Sequence, residues 1–235
     1  MQVKKINAYL DAFEAYLQEE EGDERIYVWE SQRRWQENWD LAATDLAEMY
    51  RQSLQNSTTR RMWNRESYEP KKIMLRFARL QPEYFRQMFN DLLNENKEVS
   101  GRLSRFTYYC DQLLEMLREK HPKRAFPSHF HDDGYEISSI YLSFQYPEEY
   151  IPYRLTLFQS VMKKLGAPKP VLAHDTERYF KVSKTLDNML QKRETLLEKH
   201  QQRLKEGIHY MEKSRLLVYD LLCFIQTTDL SEDGQ

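Results

Sequence analysis

The pentapeptide "HFHDD" places His129, His131, Asp132 and Asp133 within five positions. These nitrogen and oxygen donors would serve a divalent metal if further ligands converged on them. A second HD pair, His174 and Asp175, lies in a later segment. Asp132 or Asp133 also suits a structural role ahead of "GYEISSIYLSF". An aspartate there caps a helix, its carboxylate accepting from exposed amides and complementing the helix dipole. Arg203 and His209 have R-x5-H spacing, and Arg193 with His200 makes a similar pair. An arginine that stabilises phosphate charge beside a histidine acting as acid or base would suit phosphodiester chemistry. The same spacing arises on any long charged helix, where such residues face solvent or pack.

The third group is cationic. Arg60, Arg61, Arg65, Lys71, Lys72, Arg76 and Arg79 fall around Trp63 and Tyr68. Lysine and arginine attract phosphate, and aromatics stack on unpaired bases. The alternative is a solvated face whose aromatics point into the core. Trp29, Trp35 and Trp39 could form a recognition cage for a cation or modified base, although their helical spacing favours packing.

Other chemistries are excluded by pattern. None of Gly22, Gly101, Gly134, Gly166, Gly207 or Gly234 is followed by lysine, so the chain contains no Walker-type phosphate loop. It also lacks a GxSxG elbow and an HExxH helix. Cys110 and Cys223 lie in apolar stretches outside any CxxC pair and read as reduced core residues. No catalytic residue and no cofactor is expected.

The elements that must position these groups are helical. Glycine is rare, strand-like alternation is almost absent, and apolar residues recur at spacings of three and four. Val3, Ile6, Leu10, Phe13 and Leu17 form one stripe that should end near Gly22. Val28, Trp35 and Trp39 share a second face, and Asp45 stands near the start of a third helix. Pro70 and Pro82 each suit the first turn of a short helix. The cleanest period is Val99, Leu103, Phe106, Cys110, Leu113 and Leu117, closed by Pro122. Ile137, Ile140, Tyr141 and Phe144 make another face, as do Leu155, Phe158, Met162 and Leu165, which Gly166 can cap.

From Leu186 to Ile225 the pattern predicts one long C-terminal helix, bent at Gly207, with a seam interrupted by Arg193, His200 and Arg215. The fold class expected is therefore all-α: an elongated multi-helix bundle with little or no β structure. It should be a single helical domain over 1–225, with two lobes meeting near 121–134, followed by a flexible tail over 226–235.

Length and composition set the remaining bounds. A chain of 235 residues can bury a substantial core, and its 13% aromatic content against 31% charged residues assigns much of that core to rings. The net charge of −2 gives no overall basic excess but leaves room for a local basic face. No signal-peptide pattern and no run of 18 apolar residues occurs, so a cytoplasmic protein without a membrane partner is expected.

Three resemblances bear on function. The HD pairs resemble those of helical phosphohydrolases, which add separated His and Asp ligands from other helices. The Arg203 and His209 spacing resembles helical HEPN-type ribonucleases. The broadest likeness spans roughly residues 25 to 225. The segments "VWESQRRWQENWDLAATDLAEMY", "YEPKKIMLRFARLQPEYFRQMFNDLLNENKEVSGRLSRF" and "SSIYLSFQYPEEYIPYRLTLFQSVMKKLG", with their WE…W…NWD and YP-x2-Y signatures, resemble the helical N-terminal region of McrB-like AAA+ proteins from bacterial modification-dependent restriction systems.

That resemblance implies a non-enzymatic recognition or docking module in defence against foreign DNA. Its expected partners are DNA, a motor domain in cis and a nuclease subunit, with homo-oligomerisation through a motor absent from this chain. The residues expected at a DNA interface are Arg60, Arg61, Arg65, Lys71, Lys72 and Arg76. A protein scaffold docking through Leu197, Leu204 and Met211, and a hydrolase built on His129, His131 and Asp132 or on Arg203 and His209, are the alternatives.

Overall fold

A computed structural model describes residues 1–55, 69–131 and 134–230. Among these, the regular structure is helical with no strand: eleven α-helices and one short 3-10 turn at Glu20–Asp23. No helix among the described residues is long and apolar enough to cross a membrane. Arg60, Arg61, Arg65, Trp63, Tyr68, Asp132 and Asp133 lie outside the described residues.

The first helix, α1 (Val3–Tyr16), buries Ile6, Tyr9, Leu10 and Phe13, the stripe expected from spacing, except that Val3 is 64% exposed. It stops where Gly22 packs against its last turn. A Cβ at Gly22 would sit 2.7 Å from the Tyr16 carbonyl, so only glycine fits. Helices α2 (Tyr27–Asn38) and α3 (Leu46–Ser53) follow. Asp45 caps α3, accepting the Glu48 amide at 2.9 Å.

Pro70 and Pro82 stand in the first turns of α4 (Glu69–Leu80) and α5 (Pro82–Leu92), where their missing N–H groups cost nothing. Helix α6 (Val99–Lys120) buries Leu103, Phe106, Cys110, Leu113 and Leu117, the expected period, and ends one residue before His121 and Pro122.

Helix α7 (Glu136–Gln145) departs from the one-faced expectation. Every residue from Ser138 to Phe144 is buried, which marks a central helix. Three of those seven are serines, each returning its hydroxyl to a backbone carbonyl three residues earlier. The orphan carbonyls at the α7 C-terminus are met from α2: Gln32 Nε2 donates to Ser143 O at 3.0 Å and Gln36 Nε2 donates to Phe144 O. The cap residue is Tyr135, at φ 55 with no side-chain cap.

Helix α8 (Leu155–Lys164) ends in a Schellman turn. Gly166, at φ +67, donates to Lys163 O at 3.0 Å and Ala167 donates to Met162 O at 2.9 Å.

The single long C-terminal helix does not form. The chain instead makes α9 (Thr176–Leu190), α10 (Glu194–Arg203) and α11 (Leu216–Thr227). Two causes are visible. Between α10 and α11, Gly207 takes φ +77 while His209 Nδ1 accepts the Lys205 amide at 2.9 Å, a local bond that competes with helix continuation. The polar residues that break the apolar seam also have partners that only reversals can supply. Arg215 donates to Glu149 O at 2.7 Å and to Asp187 at 3.3 Å.

The C-terminal end is likewise tied down. Lys164 Nζ donates to the carbonyls of Gln226 and Thr228 at 3.0 and 2.8 Å and pairs with Asp229 at 2.8 Å, so residues 226–230 are held.

The helices assemble around α7. Helix α2 packs on α3 and α7, α4 to α6 pack on one another, and α11 packs on α1, α8 and α9, while α6 reaches both α7 and α9. The buried apolar side chains form one connected cluster from Ile6 to Ile225. Trp35→Ala should lower the free energy of unfolding by about 3–5 kcal/mol, through lost burial and the cavity left behind. Asp45→Ala should cost about 1 kcal/mol, the usual value of a lost cap. Urea titration of both variants checks the ranking.

Candidate nucleic-acid interface

Of the cations expected at a DNA interface, Arg76 is where the structure builds a site. On α4 the apolar positions Ile73, Met74, Phe77 and Ala78 turn inward, leaving Arg76 and Arg79 exposed one turn apart. They line one wall of a groove of about 320 Å³ with Leu80. The other wall comes from α6 and the residues after it: Leu117, Lys120, His121, Arg124 and Phe126.

The loop is folded back by Arg118. Its Nε and Nη2 donate to the Phe126 carbonyl at 3.0 and 2.8 Å, and its Nη1 pairs with Glu115 at 2.6 Å. This puts the Phe126 ring beneath the Arg76 guanidinium, 5.1 Å from its centroid, and 6.3 Å from the His121 ring.

Among the described residues, no carboxylate lines this groove. Among the described residues, Arg76, Arg79, Lys120 and Arg124 make no ion pair. Arg79 does act on Glu48, whose carboxyl is held down at about 2 chiefly by hydrogen bonds from Arg51 and Gln52. Glu48 is engaged by Arg51 at 2.5 and 2.8 Å. Four cations therefore converge on one concavity with no ion-pair partner among the described residues, an arrangement that attracts polyanions. Sequence spacing joined Arg76 and Arg79 to the residues before them. It missed Lys120, His121 and Arg124, whose proximity depends on the α4 and α6 packing.

The remaining expected cations behave differently. Lys71 is half-buried and donates to the Leu54 carbonyl at 2.9 Å, joining α4 to the end of α3. Burial, helped by Arg51, lowers its pKa. Lys72 is exposed on α4 but does not line the groove.

His129 and His131 are brought together, and Cys110, which spacing had not linked to them, joins them. One ligand atom from each of the three lies within 4.8 Å of the others. Phe130, at φ 63, is the residue that lets both neighbours turn inward. The ring nitrogens are already used. His131 Nδ1 donates to the His129 carbonyl at 2.8 Å, which leaves Nε2 to accept from the Tyr141 hydroxyl at 3.0 Å. Tyr50 completes the chain, its hydroxyl 2.8 Å from that of Tyr141.

His129 Nδ1 accepts the His131 amide at 3.0 Å, so its proton lies on Nε2, 3.0 Å from Asp111. Burial pushes the Cys110 thiol well up, away from the thiolate a metal would need. These donors fit a buried hydrogen-bond relay better than a metal shell.

The histidines of the C-terminal region are also structural. His200 and Arg193 are not partners, because Arg193 reaches Asp11 and Asn7 on α1. His200 Nδ1 instead accepts from Arg203 at 3.0 Å. Arg203 also donates to Asp220 at 2.9 Å and to the Gly22 carbonyl, and its guanidinium lies 5.7 Å from the Trp29 ring. Burial first, then Arg203, holds His200 down at about 3. A group so depressed is no general acid near neutrality. His209 is lowered too, mainly by burial, and its Nδ1 is spent on the Lys205 amide.

The tryptophan cage does not form. Trp35 stacks on Trp39 at 3.9 Å and 11°, and Trp29 packs on His200 at 4.9 Å. Leu197 on α10 and Leu204 at its C-cap pack against the core, as does Met211 from the segment before α11.

His131 and His200 give the fold a defined acid response. Burial, its largest cause, holds His131 at about 3, as it does His200, against an unfolded value near 6.5. The unfolded chain thus binds the extra protons, and stability falls as pH drops below 6.5. Each histidine contributes up to about 1.4 kcal/mol per pH unit in that window. The urea midpoint should fall between pH 6.5 and 5, and His131→Asn should reduce that slope by about half.

The chain matches no protein-family model, no curated protein and no solved structure.

Proposed function

We propose that this chain is a non-enzymatic recognition module that holds the phosphate backbone of DNA in the groove between α4 and the end of α6. The observation that carries this reading is the convergence of Arg76, Arg79, Lys120 and Arg124, with His121, on a concavity that no carboxylate among the described residues lines. In a chain whose net charge is −2, such local segregation of cations is not a by-product of composition. The resemblance to the helical N-terminal region of McrB-like AAA+ restriction proteins supplies the setting. There the module would deliver DNA to a motor and nuclease in defence against foreign DNA. The involvement of His129, His131, His200 and His209 in buried hydrogen bonds supports recognition over hydrolysis.

Fluorescence anisotropy with a labelled DNA oligonucleotide, repeated across a salt series, tests the reading. Four phosphate contacts predict a log–log slope of about −3.6 on a duplex. Removing Arg76, Arg79 or Arg124 singly should reduce that slope by about 1 without changing the fold. Binding that is insensitive to salt, or unchanged when all three are alanine, would eliminate the proposal.

A further inference from the structure

At the opposite end of α6 from the cationic groove lies a second cleft, built where four segments meet: the start of α6, the loop after α7, α9 and the residue before α11. It encloses about 380 Å³, a size that takes small organic ligands, and its surface is mainly apolar. Val99, Tyr150 and Phe180 make the floor, the two rings meeting edge to face at 5.1 Å.

That floor is locked from inside the protein. Arg102, 1% exposed, donates to the Tyr150 hydroxyl at 2.5 Å and sets its guanidinium 5.3 Å from the ring centroid. Arg215 is also buried where it lines the cleft, donating to the Glu149 carbonyl at 2.7 Å and to Asp187 at 3.3 Å. The surface is therefore formed before any ligand arrives.

Charge is sorted along α9. Glu177, Phe180, Lys181 and Lys184 stand at i, i+3, i+4 and i+7, so they share one face, and all four line the cleft. Glu177 does not pair with Lys181. It accepts from the Ser100 hydroxyl of α6 at 3.4 Å, which draws its carboxylate towards the end of the cleft where Glu98 stands. The two lysines lie about 6 and 10.5 Å further along α9. Glu149 is met by Arg215 at 3.6 Å, whereas among the described residues Glu98, Glu177, Lys181 and Lys184 make no ion pair. Carboxylates thus occupy one end, amines the other, and an apolar floor runs between them.

That order is the order of groups in a nucleotide. A carboxylate accepts from the exocyclic amine of a base, a flat base covers apolar and aromatic surface, and lysine takes phosphate. We infer that this cleft binds a free mononucleotide whose base carries an exocyclic amine. Glu98 and Glu177 hold the amino edge, Val99, Tyr150 and Phe180 take the base, and Lys181 and Lys184 take the phosphate. The site shares no residue with the groove of Arg76, Arg79, Lys120 and Arg124, and it does not rest on the DNA-binding reading.

Isothermal titration calorimetry of the whole chain with AMP, UMP, adenosine and inorganic phosphate tests the inference. AMP should bind about ten-fold more tightly than UMP, which offers a carbonyl where AMP offers an amine. It should also exceed adenosine and phosphate alone. Glu98→Ala with Glu177→Ala should bring AMP to the level of UMP while AMP still exceeds adenosine. Lys181→Ala with Lys184→Ala should bring AMP to the level of adenosine. Both double variants replace exposed side chains, and circular dichroism confirms that they fold.

Absence of AMP binding, equal binding of AMP and UMP, or cleft variants that change nothing overturns the inference. So does loss of AMP binding in Arg76→Ala with Arg79→Ala, which would place the nucleotide in the cationic groove. In that same variant, tighter binding of a 5′-phosphorylated oligoadenylate than of AMP would assign the cleft to a strand end and overturn the free nucleotide. DNA binding measured on the cleft variants should be unchanged, so the two sites stand or fall separately.

Discussion

The ring and hydroxyl of Tyr141 are the point through which the N-terminal half of this protein is assembled. Its ring lies 5.5 Å from Trp35 of α2, 6.3 Å from Tyr50 of α3, 5.3 Å from Phe89 of α5 and 5.7 Å from Phe106 of α6. Its hydroxyl, buried among those rings, must find polar partners, and it finds them in His131 and Tyr50. The requirement fixes the tautomer of His131, turns the loop before α7 inward, and holds α5 and α6 against α3. With those helices placed, α4 has one remaining seat, and its outward arginines meet the end of α6.

A second constraint governs the C-terminal half. Asp220 is buried on α11 and takes Arg25 at 2.6 Å on one oxygen and Arg203 at 2.9 Å on the other. A buried carboxylate left without partners would be strongly destabilising, and each guanidinium would suffer likewise. Burial works against the charge on Arg25, but Asp220 more than offsets it and raises its pKa. Arg215 and Asp187 repeat the device between the start of α11 and α9. The YP-x2-Y signature serves the same joint. Tyr146 donates to the Leu93 carbonyl at 2.5 Å, Pro147 accepts the Arg215 amide at 2.8 Å, and Tyr150 accepts from the buried Arg102 at 2.5 Å.

Against this background the α4 and α6 groove stands out by contrast. Arg102, Arg203 and Arg215 are buried and Arg25 half-buried, all hydrogen-bonded to carbonyls, hydroxyls or carboxylates, and Arg118 is spent on the 126–127 backbone. Arg76, Arg79, Lys120 and Arg124 are instead gathered by packing and left with their charge outward. Like charges brought together repel one another, so the fold bears a cost there that a bound polyanion would relieve. The histidine clusters that drew notice as chemistry are the reverse case, with lone pairs and protons consumed inside the protein.

Helix identity was legible because amphipathic spacing and local signals act within a few residues. The α6 period, the prolines opening α4 and α5, the Asp45 cap and the Gly166 turn all follow from neighbours along the chain. What escaped the sequence depends on contacts between distant segments. The path from Leu186 to Ile225 looked continuous because apolar spacing does not reveal that Arg215 needs Asp187 and the 147–149 backbone. The α7 helix looked one-faced because serine reads as polar until its hydroxyl turns back on its own carbonyls. The basic cluster was half legible for the same reason. Arg76 and Arg79 share a helix face by arithmetic, whereas Lys120, His121 and Arg124 reach them only because α4 packs on α6. The sequence alone determined which segments are helices and which faces they bury. Only the tertiary structure decided which charges were neutralised inside the core and which were left facing solvent.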